Sequence, residues 1–301
     1  MSLKFWLTAC LGLMLSTVGF AQQSMPQDYS AVLSTLGKQG DFKDGVLKVN
    51  IPRNDLKVVV DGIALPTPVG FGGWVALTKG TGMDVMMGDL VLTEEEVNPV
   101  MSAVLDAGLE VTALHNHFFF ESPRIFYMHV HGHGSAADLA TKIKPALALI
   151  GKNPPSGAAT ASGRSMEGKM DVSQLAKIIG HEGEQNGSVY KITIGRADLS
   201  VKEMGATINA RMGLNTWAAF YGSDSDAIVA GDVAMLDSEV TSVLKALRSN
   251  GLSVVAIHHH MIGTQPAIIF LHYWGKGDAQ KLARGVKSAV DQLGKRTSAS
   301  K

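Results

Sequence analysis

"GDLVLTEEEVNPVMSAVLDAGLEVTALHNH", residues 88–117, falls on "GDVAMLDSEVTSVLKALRSNGLSVVAIHHH", residues 231–260, when the chain is laid against itself with a shift of 143 residues. The shift holds in both directions without a gap. Downstream it pairs Pro123 with Pro266, His129 with His272, Gly132 with Gly275 and Gly134 with Gly277. Upstream it pairs Trp74 with Trp217, Arg53 with Arg196, Asp55 with Asp198 and Gly37 with Gly180. One offset matching so many rare residues marks a tandem duplication, with a first repeat over 28–150 and a second over 171–293. The intervening 151–170, rich in Gly, Pro, Ser and Ala, reads as linker.

Each repeat reads as α+β. In the first, "VLKVNI", "LKVVVDGIAL", "GWVALT" and "MDVMMGDLVL" have the Val and Ile content and partial alternation of strands. "TEEEVNPVMSAVLDAG" predicts a helix, with Thr93 and Glu96 as a capping box, acidic residues in the first turn and Gly108 at the end. Pro99 fits only near the first turn. "LEVTALHNHFF" and "RIFYMHVHG" predict two further strands, and "SAADLATKIKPALALIG" a closing helix. The expected architecture is a duplicated β-α-β-β-α unit with extra N-terminal strands. It places two antiparallel or mixed sheets about a pseudo-twofold axis.

The 301 residues suffice for two repeats with cores of their own. Lys+Arg and Asp+Glu both number 27, which gives no electrostatic case for nucleic acid or an anionic membrane. At the N-terminus, "MSLK" followed by the apolar "FWLTACLGLMLSTVGF" predicts a secretory signal over 1–21, cleaved after Ala21. The run is short for a membrane span. A minority reading takes "LTAC" as a lipobox anchoring the chain at Cys10, although few apolar residues precede it. Cleavage after Ala21 leaves a periplasmic or secreted chain without cysteine, which excludes disulfides and thiolate ligands.

Five of the ten histidines lie in "ALHNHFFFESPRIFYMHVHGHG", residues 113–134: His115, His117, His129, His131 and His133. Strand residues two apart share a face. A turn centred on Pro123 sets His117 opposite His129 and His115 opposite His131, with Cβ atoms about 4.5–5.5 Å apart. A register slip of one residue would part the two sets. The second repeat keeps His258, His260 and His272 and places Trp274 and Lys276 where His131 and His133 stood. His259 is expected on the opposite face. Neutral imidazoles in this number suit a transition metal, zinc first and copper as the alternative. Glu121 shares the odd parity and is the nominated base.

Other features carry less. Met83, Met86 and Met87 read as core rather than copper ligands. Asp89 and Asp232 follow a glycine and read as turn residues before the helix. Trp74 and Trp217 read as core, and Arg53–Asp55 and Arg196–Asp198 as matching ion pairs. The letters "HNH" do not make a nuclease on a chain without a basic surface. A cupin reading of His115, His117 and Glu121 fails because a helix precedes the strand and the second repeat lacks the acid. No phosphate loop or nucleophile elbow is present.

"GDLVLTEEEVNPVMSAVLDAGLEVTALHNH", "ESPRIFYMHVHGHG" and "LHYWGKGDAQKLA" resemble the LppY/LpqO family of exported bacterial proteins and lipoproteins, built on a domain of unknown function. The resemblance implies export and the duplicated architecture, and supplies no catalytic residues. Two functional readings follow. One is an exported protein that binds metal through His115, His117, His129 and His131, with a related site at His258, His260 and His272. It acts either as a metal-dependent hydrolase or in metal handling. The other is a metal-free binding module for an anionic small molecule or cell-envelope ligand.

Overall fold

The computed structural model describes residues 24–152 and 162–295. The expected signal sequence, with Cys10, lies outside the described residues. Among the described residues no helix is long and apolar enough to cross a membrane.

The first repeat runs α1 (Gln27–Leu36), β1 (Asp41–Lys43), β2 (Val46–Pro52), β3 (Val58–Val60), β4 (Ile63–Leu65), a 3-10 turn at Thr67–Val69, β5 (Gly72–Lys79), β6 (Asp84–Thr93), α2 (Glu94–Asp106), β7 (Glu110–His115), β8 (Glu121–Ser122), β9 (Ile125–Gly134) and α3 (Ala136–Leu149). The second repeats this order, without a counterpart of β8 among the described residues and with a 3-10 turn at Asp237–Glu239 opening its middle helix: α4 (Val172–Ile179), β10 (Gly183–Asn186), β11 (Val189–Gly195), β12 (Val201–Glu203), β13 (Ala206–Ile208), a 3-10 turn at Ala210–Met212, β14 (Asn215–Gly222), β15 (Ala227–Leu236), α5 (Val240–Ser249), β16 (Ser253–His258), β17 (Ile268–Gly277) and α6 (Ala279–Val290). The chain is thus a mixed α+β protein with an internal duplication. The opening helices α1 and α4 carry no strong sequence signal. Val32 and Leu36, and Leu175 and Ile179, sit four residues apart and dock them on the cores.

Each repeat forms a six-stranded antiparallel sheet, in the orders β1-β2-β5-β6-β9-β7 and β10-β11-β14-β15-β17-β16. Alternation along a strand assigns its two faces. On β6, Met86, Leu90 and Leu92 pack under the helices together with Val100, Val104, Leu139 and Ile143. The odd residues turn the other way, toward the second sheet. Val91 and Tyr127 join Ala219, Tyr221, Ile228 and Ala230 in one core, and Ala76 and Met87 join Ala234 and Phe270 in another. Both sheets are therefore covered twice, by helices outside and by each other inside. Burial on both faces gives β6 and β15 their near-continuous apolar runs.

Two arginines tie the strands to the helices. Arg53 is 2% exposed and bonds Asp55 at 2.8 Å, the Val91 carbonyl at 2.8 Å and Glu96 at 2.6 Å. Arg196 does the same with Asp198 at 2.8 Å, the Ala234 carbonyl at 2.7 Å and Glu239 at 2.8 Å. The expected ion pairs form, and a buried glutamate joins each. Glu96 also accepts the Thr93 N–H at 2.9 Å, its half of the expected capping box. Pro99 lies well inside α2 rather than in its first turn.

Candidate metal centre at the repeat interface

The histidine register differs from the expected one. His115 faces Tyr127, Ala113 faces His129 and Glu110 faces His131. The pairs His117–His129 and His115–His131 do not form across the strands. The connection is not a tight turn about Pro123. Its middle, β8, leaves the sheet to pair with β3 through Val59↔Ser122 and Val60↔Glu121, and β7 stops at His115. An irregularity between Val111 and Ala113 then re-aims β7. Its effect is to put both Glu110 and His115 on the inner face. β16 has the same shift between Val254 and Ala256, so that Ala256 faces His272 and His258 faces Phe270.

The inner faces bring the two histidine trios together. The His115 and His258 rings stack 3.7 Å apart. His117 lies 3.6 Å from His272, and His129 lies 3.9 Å from His260. His117 rests on Tyr127 at 3.3 Å, as His260 rests on Phe270 at 3.3 Å. Each distance from one repeat has a near-equal counterpart in the other. His115, His117, His129, His260 and His272 are all buried, and Thr112 Oγ1 donates to the His260 carbonyl at 2.8 Å across the interface. Sequence separated these residues into two sites. The structure brings six histidines together. Five of them form two three-ring groups sharing His115, each with ligand nitrogens within 4.8 Å of one another: His115, His129 and His258 in one, and His115, His117 and His272 in the other. His260 stacks on His129.

His131, expected as a fourth ligand beside the trio His115, His117 and His129, lies elsewhere. Its Nε2 lies 2.8 Å from Glu203 and its Nδ1 3.8 Å from Glu110, beside His133. Glu121 is also absent from both central groups. Its Oε1 accepts from Asn116 Nδ2 at 3.2 Å and from the Ile125 N–H at 3.1 Å, and burial raises its pKa to about 7. His259 is exposed, as expected. Met86 and Met87 are core, and Met83 is an exposed residue.

Burial sets the charge state of the centre. It lowers the His115 pKa to about 4, outweighing the contact with the Asn116 carbonyl. His117, His129, His258, His260 and His272 are likewise lowered by burial, reinforced by repulsion among neighbouring rings. The imidazoles are therefore neutral near pH 7, the form that ligates metal. Nδ1 of His115 approaches the Asn116 carbonyl at 3.4 Å, and Nδ1 of His272 approaches the Gly231 carbonyl at 3.3 Å. A proton held at Nδ1 leaves Nε2 as the lone-pair donor. The nitrogens His115 Nε2, His117 Nδ1 and Nε2, His129 Nε2, His258 Nδ1 and Nε2, and His272 Nε2 are buried without a hydrogen-bond partner.

Two pairs of charged residues border the rings, and sequence reasoning misread both aspartates. Asp89 and Asp232 are not turn residues. They sit within β6 and β15, facing His129 and His272 across the ladder. The preceding glycines serve packing, since a Cβ on Gly231 would meet the Trp217 carbonyl oxygen at 2.3 Å. Burial raises Asp89 to about 7 and also raises Asp232 well above its ordinary value. Trp74 and Trp217, expected as core, are half-buried, with Lys48 Nζ 4.3 Å over one ring and Lys191 Nζ 4.1 Å over the other. Burial lowers both lysines to about 8. A repeated Gly-Asp within a strand-length apolar run was the available signal.

Fold and cluster together define a duplicated α+β protein whose halves meet at a buried histidine centre of the kind that could hold a metal ion. The chain belongs to the family described as Domain of Unknown Function (DUF1259), which matches it over residues 30–149 and again over 173–292. No curated protein matches it. Among solved structures it is similar to EtuB from Clostridium kluyveri, with 8% identity and a TM-score of 0.20 over 84% of this chain and 88% of that one. It is also similar to the trimeric bacterial microcompartment shell protein PduB, with 12% identity and a TM-score of 0.22 over 85% of this chain and 90% of that one. Neither likeness bears on the reading below.

Proposed function

We propose that this is an exported protein of the LppY/LpqO type that binds a transition metal, zinc first and copper second, in the histidine centre between its repeats. One observation carries the reading: the buried ring nitrogens that have no hydrogen-bond partner. A buried polar atom left unpaired costs about 1–3 kcal/mol, and several in one place call for a shared ligand. A metal ion supplies one where neutral imidazoles converge. The two repeats would lie about an approximate twofold axis passing between His115 and His258. The stacked rings cannot all turn toward one ion, so the binding unit is a three-histidine group that leaves a coordination position open. Such an ion lowers the pKa of bound water and supports hydrolysis. In that version Asp89, which faces His129 across the ladder, joins Glu121 as a candidate base.

The metal-free alternative, with charged histidines gripping an anion, is weakened by burial that keeps them neutral. An anionic ligand would be met by Lys48 and Lys191 instead. The test is metal content and zinc uptake of the purified, chelator-stripped protein, against His115→Ala combined with His258→Ala. The wild type is expected to take up more zinc than the variant, which loses the equivalent held by the central rings. Equal uptake by a folded variant would rule the centre out.

A further inference from the structure

We infer that His131, His133 and Glu203, bordered by Glu110, form a second, separate site for a divalent transition ion, one that pins the first repeat to a hairpin of the second. Nothing in it depends on the central histidines.

The site is assembled from two strands, with a third beside it. His131 and His133 lie two apart on β9 and share its inner face. Glu110 stands opposite His131 on β7, brought to that face by the shift after Val111. Glu203 ends β12 in the other repeat, whose β12–β13 hairpin is held against the first repeat by the Thr81 N–H donating to the Met204 carbonyl at 2.8 Å.

Glu203 Oε1 lies 2.8 Å from His131 Nε2 and 3.0 Å from His133 Nε2. The His133 contact has hydrogen-bond length, and both spacings also match adjacent positions of a six-coordinate ion, about 2.8–3.1 Å apart for bonds near ~2.0–2.2 Å. Glu110, His131 and His133 also present ligand atoms within 4.8 Å of one another. His131 is 3% exposed, yet its Nε2 has no hydrogen bond of acceptable geometry despite its closeness to Glu203, and Glu203 Oε2 is buried without a partner. Two imidazoles, each through Nε2, and the Glu203 carboxylate make a donor set for zinc, cobalt, nickel or manganese, while Glu110 approaches the other nitrogen of His131, Nδ1, at 3.8 Å and borders the site.

The duplication supplies an independent argument. The shift of 143 residues carries Glu110, His131 and His133 to Ser253, Trp274 and Lys276, and carries Val60 to Glu203. No donor of the set has a counterpart, so this cluster was built once, at one end of the interface. At the corresponding corner of the second repeat, Lys276 places its own ammonium 3.4 Å from Asp61. The fold thus holds a cation at that corner by covalent means, where the first repeat offers ligands.

The experiment uses the full chain, stripped with chelator and titrated with Co(II). It is read by visible d–d absorption and by bound cobalt after gel filtration. His133→Lys copies the lysine of the second repeat and leaves Glu203 a cationic partner, so it preserves the fold. It is expected to lose one equivalent of Co(II), and Glu203→Gln the same equivalent. The central variant His115→Ala with His258→Ala is expected to keep that equivalent and to melt at higher temperature when Co(II) is added. Unchanged stoichiometry in both His133→Lys and Glu203→Gln, or a central variant whose melting ignores Co(II), overturns the second site. Neither result touches the central one, which is read from the central variant alone.

Discussion

His115 and His258, 143 residues apart, occupy equivalent positions of the two repeats, and their rings stack at 3.7 Å with an angle of 27°. This contact joins the two halves of the centre, and His115 is also the one ring common to both three-histidine groups.

That sharing makes the groups separable by mutation. His129→Ala removes a ligand from the group with His258 and spares the group with His117 and His272, and His117→Ala does the reverse. His115→Ala strikes both. Calorimetric zinc titration of the three variants is expected to show residual central binding in the first two and none in His115→Ala. The loss in His115→Ala should exceed the roughly 10–100-fold that removing an outer-sphere partner costs. Equal losses in all three would mean that the rings act as one undivided site.

Glu121 gives a pH test. Burial raises its pKa from 4.5 to about 7, and its Oε2 has no partner. A carboxylate raised in the folded state contributes no penalty below its unfolded pKa, where both states are protonated. Stability is lost as pH rises from about 4.5 through 7, because the unfolded chain releases its proton first. Glu121→Gln keeps an oxygen to accept from Asn116 and Ile125 and cannot ionise. Its stability relative to wild type is therefore expected to grow between pH 5 and pH 8, by up to about 3 kcal/mol. Denaturant midpoints at the two pH values measure it, and a pH-independent difference contradicts the shift.

The arginine networks predict unequal costs for removing their two acids. Glu96 is fully buried against Arg53, whereas Asp55 is 47% exposed. Glu96→Ala leaves the buried Arg53 guanidinium with its exposed partner alone and takes the acceptor of the Thr93 and Gly151 N–H groups. A loss of about 3–5 kcal/mol is expected. Asp55→Ala removes a pair that water screens, at about 0–1 kcal/mol. Glu239→Ala and Asp198→Ala should repeat the contrast in the second half, as read by thermal melting.

Much of the fold was legible because a duplication doubles every signal. Gly108 and Gly251 stop equivalent helices, and the Val- and Ile-rich runs mark the same strands twice. The trio His115, His117 and His129 was legible for the same reason. Its convergence with the other trio was not, because periodicity reports which face a residue takes and not which sheet that face meets. Glu110 was missed for a sharper reason. Strict alternation puts an even residue opposite in sense to His115, and only the irregularity after Val111 brings both to one face. His131 was added to the trio as a fourth ligand by parity, while its neighbours Glu203 and Glu110 reach it from other strands. Asp89 and Asp232 were misplaced because Gly-Asp is ordinarily a turn signal. Here the glycine clears space inside a sheet.

That role of glycine separates two otherwise matching positions. A Cβ on Gly88 would meet Val130 Cγ2 at 2.8 Å and the Trp74 carbonyl oxygen at 3.0 Å. The first is the end of a side chain that can shift slightly. On Gly231 it would meet the Tyr273 ring and hydroxyl at 2.2–2.3 Å and the Trp217 carbonyl oxygen at 2.3 Å. Neither can yield without moving β14 or β17, and overpacking a core costs about 1–3 kcal/mol even where relaxation is easy. Gly231→Ala is therefore expected to destabilise by more than that range, and Gly88→Ala to stay within it. Because Asp232 and His272 hang from the displaced strands, Gly231→Ala should also weaken zinc binding at the central site. Gly88→Ala, measured in the same titration, should weaken it less. Equal melting temperatures for the two variants would show that the strands separate more readily than these distances allow.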